Sequence, residues 1–154
     1  MENTFDAVIK VLNRLIETNL DRIKGYETAA EDAKDADVKA LCNEYASQSR
    51  TFKTELERLV REHGGEPQKS SSASGAVYRA WMNVKSTLSG NDKKAIYSEC
   101  EFGEDAAKSS YADARKDSAG FPDNVVSVIS RQHTEILKAH DKVKQLRDEL
   151  VEHH

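Results

Sequence analysis

Phe5, Val8, Ile9, Leu12, Ile16, Leu20, Ile23 and Tyr26 recur at steps of three and four residues, the spacing that lines one face of an α-helix. The pattern predicts a first helix over residues 3–33, capped by Asn3 or Thr4, with Asp6 in its first turn. It ends in Ala29, Ala30 and Ala33, small enough for a neighbouring helix to come close. A turn at 34–37 follows, where either Asp35 or Asp37 can cap a second helix over 37–63. That helix carries Val38, Leu41, Cys42, Tyr45, Gln48, Phe52, Leu56 and Leu59 on one face, and Gly64-Gly65 stops it, with Pro67 just beyond. So short a turn makes the two helices antiparallel neighbours.

A polar, Ser-rich link over 66–74 reads as mobile. Val77, Trp81, Val84 and Leu88 then mark a shorter helix over 76–88, broken by Ser89-Gly-Asn-Asp92. A third long helix over 91–116 faces inward with Ile96, Cys100, Gly103, Ala107, Tyr111 and Ala114. The turn Ser118-Ala-Gly-Phe-Pro122 leads to a fourth over 122–150, with Val125, Val128, Ile129, Gln132, Ile136, Val143, Leu146 and Leu150 on its seam and Ala139 or His140 beside them. The short helix covers roughly 20 Å, and the link before it can reach about 30 Å more. Together they can carry the chain back along the bundle, so that the third long helix runs parallel to the second. The expectation is one all-α domain over 1–154: two antiparallel hairpins joined by a long crossover, the ferritin-like arrangement, with Trp81 anchoring the crossover. The alternative is an up-down bundle in which 76–88 begins one kinked third helix.

Part of the first hairpin returns in the second. Gly25-Tyr-Glu-Thr-Ala-Ala30 is echoed by Phe102-Gly-Glu-Asp-Ala-Ala107, which aligns Glu27 with Glu104. Each following helix carries a Gln on its apolar seam, Gln48 and Gln132. Glu27, Gln48, Glu104 and Gln132 therefore form a candidate polar layer across the bundle. Di-iron bundles take one Glu from each of two helices and Glu-x-x-His from each of the other two, because residues three apart share a face. Here the second helices read Gln48-x-x-Thr51 and Gln132-x-x-Glu135. An amide oxygen is a neutral ligand, so the charge needed to hold two dications is incomplete. Helical register also sets Glu27 nearer Cys42–Tyr45 than Gln48, and Glu104 nearer Ile136 than Gln132, each about 5 Å off.

Two readings follow. In the first, acids and amides satisfy one another, sparing a buried amide a penalty of about 1–3 kcal/mol, and fix helix register as a polar coiled-coil residue does. In the second, Glu27 and Glu104 hold iron or manganese, assisted by His133 or His140. A small-ligand pocket is a third use of the same place. A lone His at such a seam is more often a hydrogen-bonded boundary residue than a ligand. Glu44, Glu101 and Glu135 are expected to face solvent. Tyr26, Tyr45, Tyr97 and Tyr111 border the seams, for packing or to donate hydroxyls to the acids.

Composition narrows the function classes. Charged residues make up 32% of the 154 and the hydrophobic set 38%, a balance that suits amphipathic helices with solvated outer faces. Net charge is −4, with Lys and Arg interspersed among Asp and Glu, so no basic stripe points to nucleic acid. No run approaches the roughly 18–20 apolar residues of a membrane span, and the start lacks a signal-peptide pattern. Two cysteines, Cys42 and Cys100, fall on apolar seams and read as buried thiols rather than a disulfide framework. A cytoplasmic protein is the default. His153-His154 is a tag remnant or native. No Cys/His cluster, phosphate loop or nucleophile elbow is present.

Gly25-Tyr26-x-x-Ala29-Ala30-Glu31-Asp32, Arg79-Ala80-Trp81, Cys100-Glu101-x-Gly103-Glu104-Asp105-Ala106-Ala107 and Gln132 resemble a family of bacterial ferritin-like bundles, domain of unknown function 2383. The resemblance covers residues 8–146. It implies a ferritin-like four-helix bundle in the cytoplasm, in some members linked to stress responses, with no established activity. Relatives in the wider superfamily bind di-iron, but that ligand pattern does not transfer here residue by residue. The expectation is a non-catalytic bundle without a cofactor, open to self-association, with no nucleic-acid or membrane partner. The alternative is a divergent iron- or manganese-binding protein with oxidase or storage activity.

Overall fold

The structure, a computed structural model, describes residues 5–71, 75–87 and 93–152. Five helices account for most of them: α1 (Asp6–Asp32), α2 (Ala36–Glu62), α3 (Ala76–Thr87), α4 (Lys93–Asp117) and α5 (Asp123–Glu152). The expected caps Asn3 and Thr4, the 89–92 break and the His153-His154 pair lie outside the described residues. Asp35 is the N-cap of α2, its carboxylate accepting from the backbone N–H of Asp37 at 2.8 Å and Val38 at 3.2 Å. Gly64 at φ 84° ends the same helix, and Gly120 at φ 86° turns the chain between α4 and α5. An L side chain is strained at either angle.

The topology is the crossover arrangement, not the up-down alternative. The α1–α2 and α4–α5 pairs form two antiparallel hairpins, and α3 packs across α1 and α4. Arg14 meets Asp117 at one end of the α1–α4 seam and Arg22 meets Glu104 further along, so these helices are antiparallel and α4 runs parallel to α2. The link after α2 is tied down where it begins, over residues 66–68. Asn13 donates to the Glu66 carbonyl at 3.1 Å and accepts from the Gln68 N–H at 2.8 Å. Pro67 beside it is buried.

Trp81 anchors α3, as expected. Its ring is fully buried and fills the space left by two helical glycines. A Cβ on Gly25 would lie 2.2 Å from Trp81 Cε3, and one on Gly103 2.5 Å from Cδ2. Both helices can admit the indole only because these two positions lack a side chain.

Apolar residues divide into two cores. One gathers Leu12, Leu15, Ile16, Phe52, Leu56, Tyr111 and Ile129. The other gathers Tyr26, Ala29, Val38, Cys42, Trp81, Ile96, Cys100 and Val143. Asn19, Arg22, Ser49 and Glu104, all fully buried, fall between the two along α1, α2 and α4. The fold therefore delivers a polar band to the middle of the bundle.

Candidate functional site

At the centre of the band stands Arg22, a residue the apolar pattern did not single out. Its Nε and Nη2 each donate to a Glu104 oxygen at 2.8 Å. Its Nη1 donates to Ser49 Oγ at 2.8 Å, and its guanidinium lies 5.3 Å from the Tyr26 ring centroid and 5.5 Å from that of Tyr45. Tyr26 donates its hydroxyl to Glu104 Oε2 at 2.8 Å. Both charged side chains are fully excluded from solvent. A buried ion pair offsets its desolvation only when the remaining donors and acceptors are also satisfied, and here they are.

From Arg22 the hydrogen bonds continue in one direction. Ser49 donates to Asn19 Oδ1 at 2.8 Å, Asn19 Nδ2 to the Tyr111 hydroxyl at 2.8 Å, Tyr111 to Gln132 Oε1 at 2.7 Å, and Gln132 Nε2 to Glu55 Oε1 at 3.0 Å. The chain begins at a cation and ends at a carboxylate that also contacts Arg131. Each donor therefore points away from positive charge toward negative, and aligned hydrogen bonds of this kind polarise and strengthen one another.

Burial alone would lower the Arg22 pKa, but the Glu104 carboxylate raises it above the ordinary arginine value. Burial, then Glu104, pushes the Tyr26 hydroxyl well above the usual phenol range, and burial raises Tyr45 to about 12. The hydrogen bond with Cys42, then burial, raises the Cys100 thiol well above the usual range. Both cysteines are buried, and the shift keeps Cys100 a thiol, the unreactive form.

The residues expected in the polar layer separate. Glu104 and Gln132 are fully buried, and they are joined through Arg22, Ser49, Asn19 and Tyr111 rather than to each other. Gln48 is half-buried, and its Oε1 has no hydrogen-bond partner among the described residues. Glu27 lies outside the layer, its side chain 46% exposed and bound to Arg50 on the α1–α2 surface. The reason is helical phase. Gly25 and Gly103 both receive Trp81, so the two hairpins correspond one residue out of step with the Glu27–Glu104 alignment. One residue is about 100° of helix, enough to turn Glu27 outward.

This donor set does not fit a pair of metal ions at the bundle centre. It offers one carboxylate, both of whose oxygens are taken by a guanidinium that is itself a fixed positive charge. His133 does not supply the deficit. Its Nδ1 lies 3.3 Å from Arg115 Nη1, its ring stacks on Tyr111, and burial together with Arg115 lowers its pKa.

His140 belongs to a different group. Its Nε2 lies 2.7 Å from Asp105 Oδ1 and 3.9 Å from Glu101 Oε1. Among the described residues this is the cluster whose ligand atoms converge, all within 4.8 Å of one another. It includes none of Glu27, Glu104 or His133. Glu101, expected at the solvent, is 13% exposed and the His140 side chain 9%. Glu101 and Asp105 are four apart on α4, so both point at α5. That spacing was legible, but the partner helix's register was not.

Comparison with known proteins supports the fold. The family model described as "Domain of unknown function (DUF2383)" matches residues 7–117. A dodecameric thioferritin, the bacterioferritin-related protein from Bacteroides fragilis, is similar with a TM-score of 0.77. The match covers 94% of this chain and 86% of that one at 14% identity, which bears on fold alone. No curated protein matches the sequence significantly. Among the described residues, no helix is long and apolar enough to cross a membrane.

Proposed function

This chain belongs to the DUF2383 family, and on that premise we propose that it is a divergent metal-binding member of the ferritin-like fold whose ion sits on the α4–α5 flank rather than in the bundle centre. Glu101, Asp105 and His140 would hold it. The observation that carries the reading is the approach of His140 Nε2 to two carboxylate oxygens. Asp141 Oδ1 lies 3.0 Å from the other ring nitrogen and would accept its proton, as carboxylates do behind metal-bound imidazoles. That leaves the Nε2 lone pair facing Asp105 and Glu101, the latter already held on its other oxygen by Arg147, and a metal ion on Nε2 would bridge the imidazole to both acids. Ligand atoms around a small divalent ion lie roughly 3 Å apart, which 2.7 and 3.9 Å bracket. Two carboxylates and an imidazole suit manganese or iron as well as zinc. Paired-metal oxidase chemistry draws on several central carboxylates, and the band supplies one.

The test is titration of untagged protein with manganese, followed by calorimetry and elemental analysis. Stoichiometric binding, lost in His140→Ala and Asp105→Asn but kept in Glu104→Gln, is the expected result. A chelator should then lower the melting temperature of loaded protein. Binding that survives both flank substitutions would reject the site.

A second reading is a non-catalytic, stress-associated bundle, favoured by the Arg22–Glu104 pair where other members of the fold keep metals. It predicts no stoichiometric ion at all. Under either reading we propose that the chain self-associates, as the Bacteroides fragilis protein does; light scattering after size exclusion should give a multiple of the 17.2 kDa chain mass, and the mass of one chain would reject it.

A further inference from the structure

Beneath the crossover helix a cleft of about 1120 Å³ opens between α1, α3 and α4. It is slightly larger than the usual small-molecule site of about 300–1,000 Å³. Four of its lining side chains are carboxylates and two are guanidiniums, and one of the latter, Arg14, is already paired with Asp117. The floor is made of hydroxyls that bond each other, Thr18 and Ser110 at 2.8 Å. Val77 and the exposed ring of Phe102 supply apolar wall.

Asp21 is the unusual group. It lines the cleft yet is only 4% exposed. No cation lies within salt-bridge distance of it among the described residues, and what faces it there is the neutral Ser71 hydroxyl, which offsets its burial only in part. A carboxylate in that position destabilises the fold unless something pairs with it. Its neighbour Arg22 cannot, being turned inward and saturated by Glu104 and Ser49.

We propose that this cleft binds a small organic amine, with the ammonium held against Asp21 and the carbon skeleton laid along Val77 and Phe102. An ammonium satisfies one buried carboxylate with a direct charge-assisted hydrogen bond. A divalent metal would need several converging ligands, and Asp21 is not part of the cluster that converges among the described residues. A neutral apolar ligand would leave the carboxylate as it is, and an anion would meet repulsion. The cleft shares Asp105 with the proposed metal cluster, but amine binding turns on Asp21, and the chelator in the titration separates the two readings.

The experiment is calorimetric titration of the full chain with hexamethylenediamine near neutral pH, in the presence of chelator, with hexanediol as the uncharged control. The diamine should bind saturably and raise the melting temperature, and the diol should do neither. Asp21→Asn, nearly isosteric, should weaken binding by at least about tenfold. Ala106→Phe, which adds bulk to the cleft from α4 and leaves Asp21 in place, should weaken it comparably and covers the case in which the first variant folds poorly. Failure of the diamine to saturate overturns the proposal. So does equal binding by the diol, and so does unchanged affinity in both variants.

Discussion

A single guanidinium explains more of this molecule than any other side chain. Arg22 touches two other helices and neutralises the one central acid, so removing it strands Glu104 in the interior. Arg22→Ala is expected to cost about 3–5 kcal/mol, measured by urea unfolding, whereas Glu27→Ala, which breaks a surface pair, should change stability by less than about 1 kcal/mol. Asp21 behaves in the opposite sense. Burial, and Glu17 secondarily, raise its pKa to about 6 over the opposing pull of Ser71 and Lys24. The folded protein therefore binds this proton more tightly than the unfolded chain does. Stability falls as pH rises between the ordinary value of 3.8 and about 6, and the loss persists above that window. Asp21→Asn should raise the melting temperature at neutral pH, by a free energy of about 1–2 kcal/mol once solvent screening is allowed for, and have little effect near pH 4. A stabilising substitution there is the signature of a residue retained for something other than the fold.

At the scale of elements, the meeting of α1, α3 and α4 depends on absent side chains. Gly25→Ala or Gly103→Ala would drive a methyl into the Trp81 ring. Overpacking of that kind costs typically 1–3 kcal/mol, against roughly 1 kcal/mol gained in helix propensity. A lower melting temperature and altered tryptophan fluorescence are the expected outcome, and a more stable variant would contradict it. Most helix bounds were legible in the sequence because amphipathic periodicity is strong over long segments. The polar band was less so, for a reason visible in α1. Tracing apolar identity leads through Leu20 and Ile23, which are part-exposed. Tracing the spacing alone leads through Leu12, Leu15, Asn19, Arg22, Tyr26, Ala29 and Ala33, all buried. Each long seam carries a polar residue, Arg22, Ser49, Glu104 and Gln132, and an arginine at a core position reads as surface until its partner helix is known. The flank cluster needed the α4–α5 register, which no local pattern encodes.

Across the whole molecule, cohesion is uneven. Within each hairpin the packing is extensive, and α3 and α4 hold α1 firmly, whereas α2 and α5 touch sparingly. Polar links between those two helices among the described residues fall at one level: Gln132 to the Phe52 carbonyl and to Glu55, and Arg131 to Glu55. Past that level α5 has polar links to α4, Arg147 with Glu101 and His140 with Asp105, while Val143 enters the second core and Leu146 and Leu150 pack at its edge. Native-state hydrogen exchange should therefore show α5 amides after residue 143 opening well below the global unfolding free energy, and those of α1 opening only with it. If so, the bundle has a hinge and a free edge: its last turns can swing away like a door while the frame stays shut, and whatever occupies the α4–α5 flank would act as the latch.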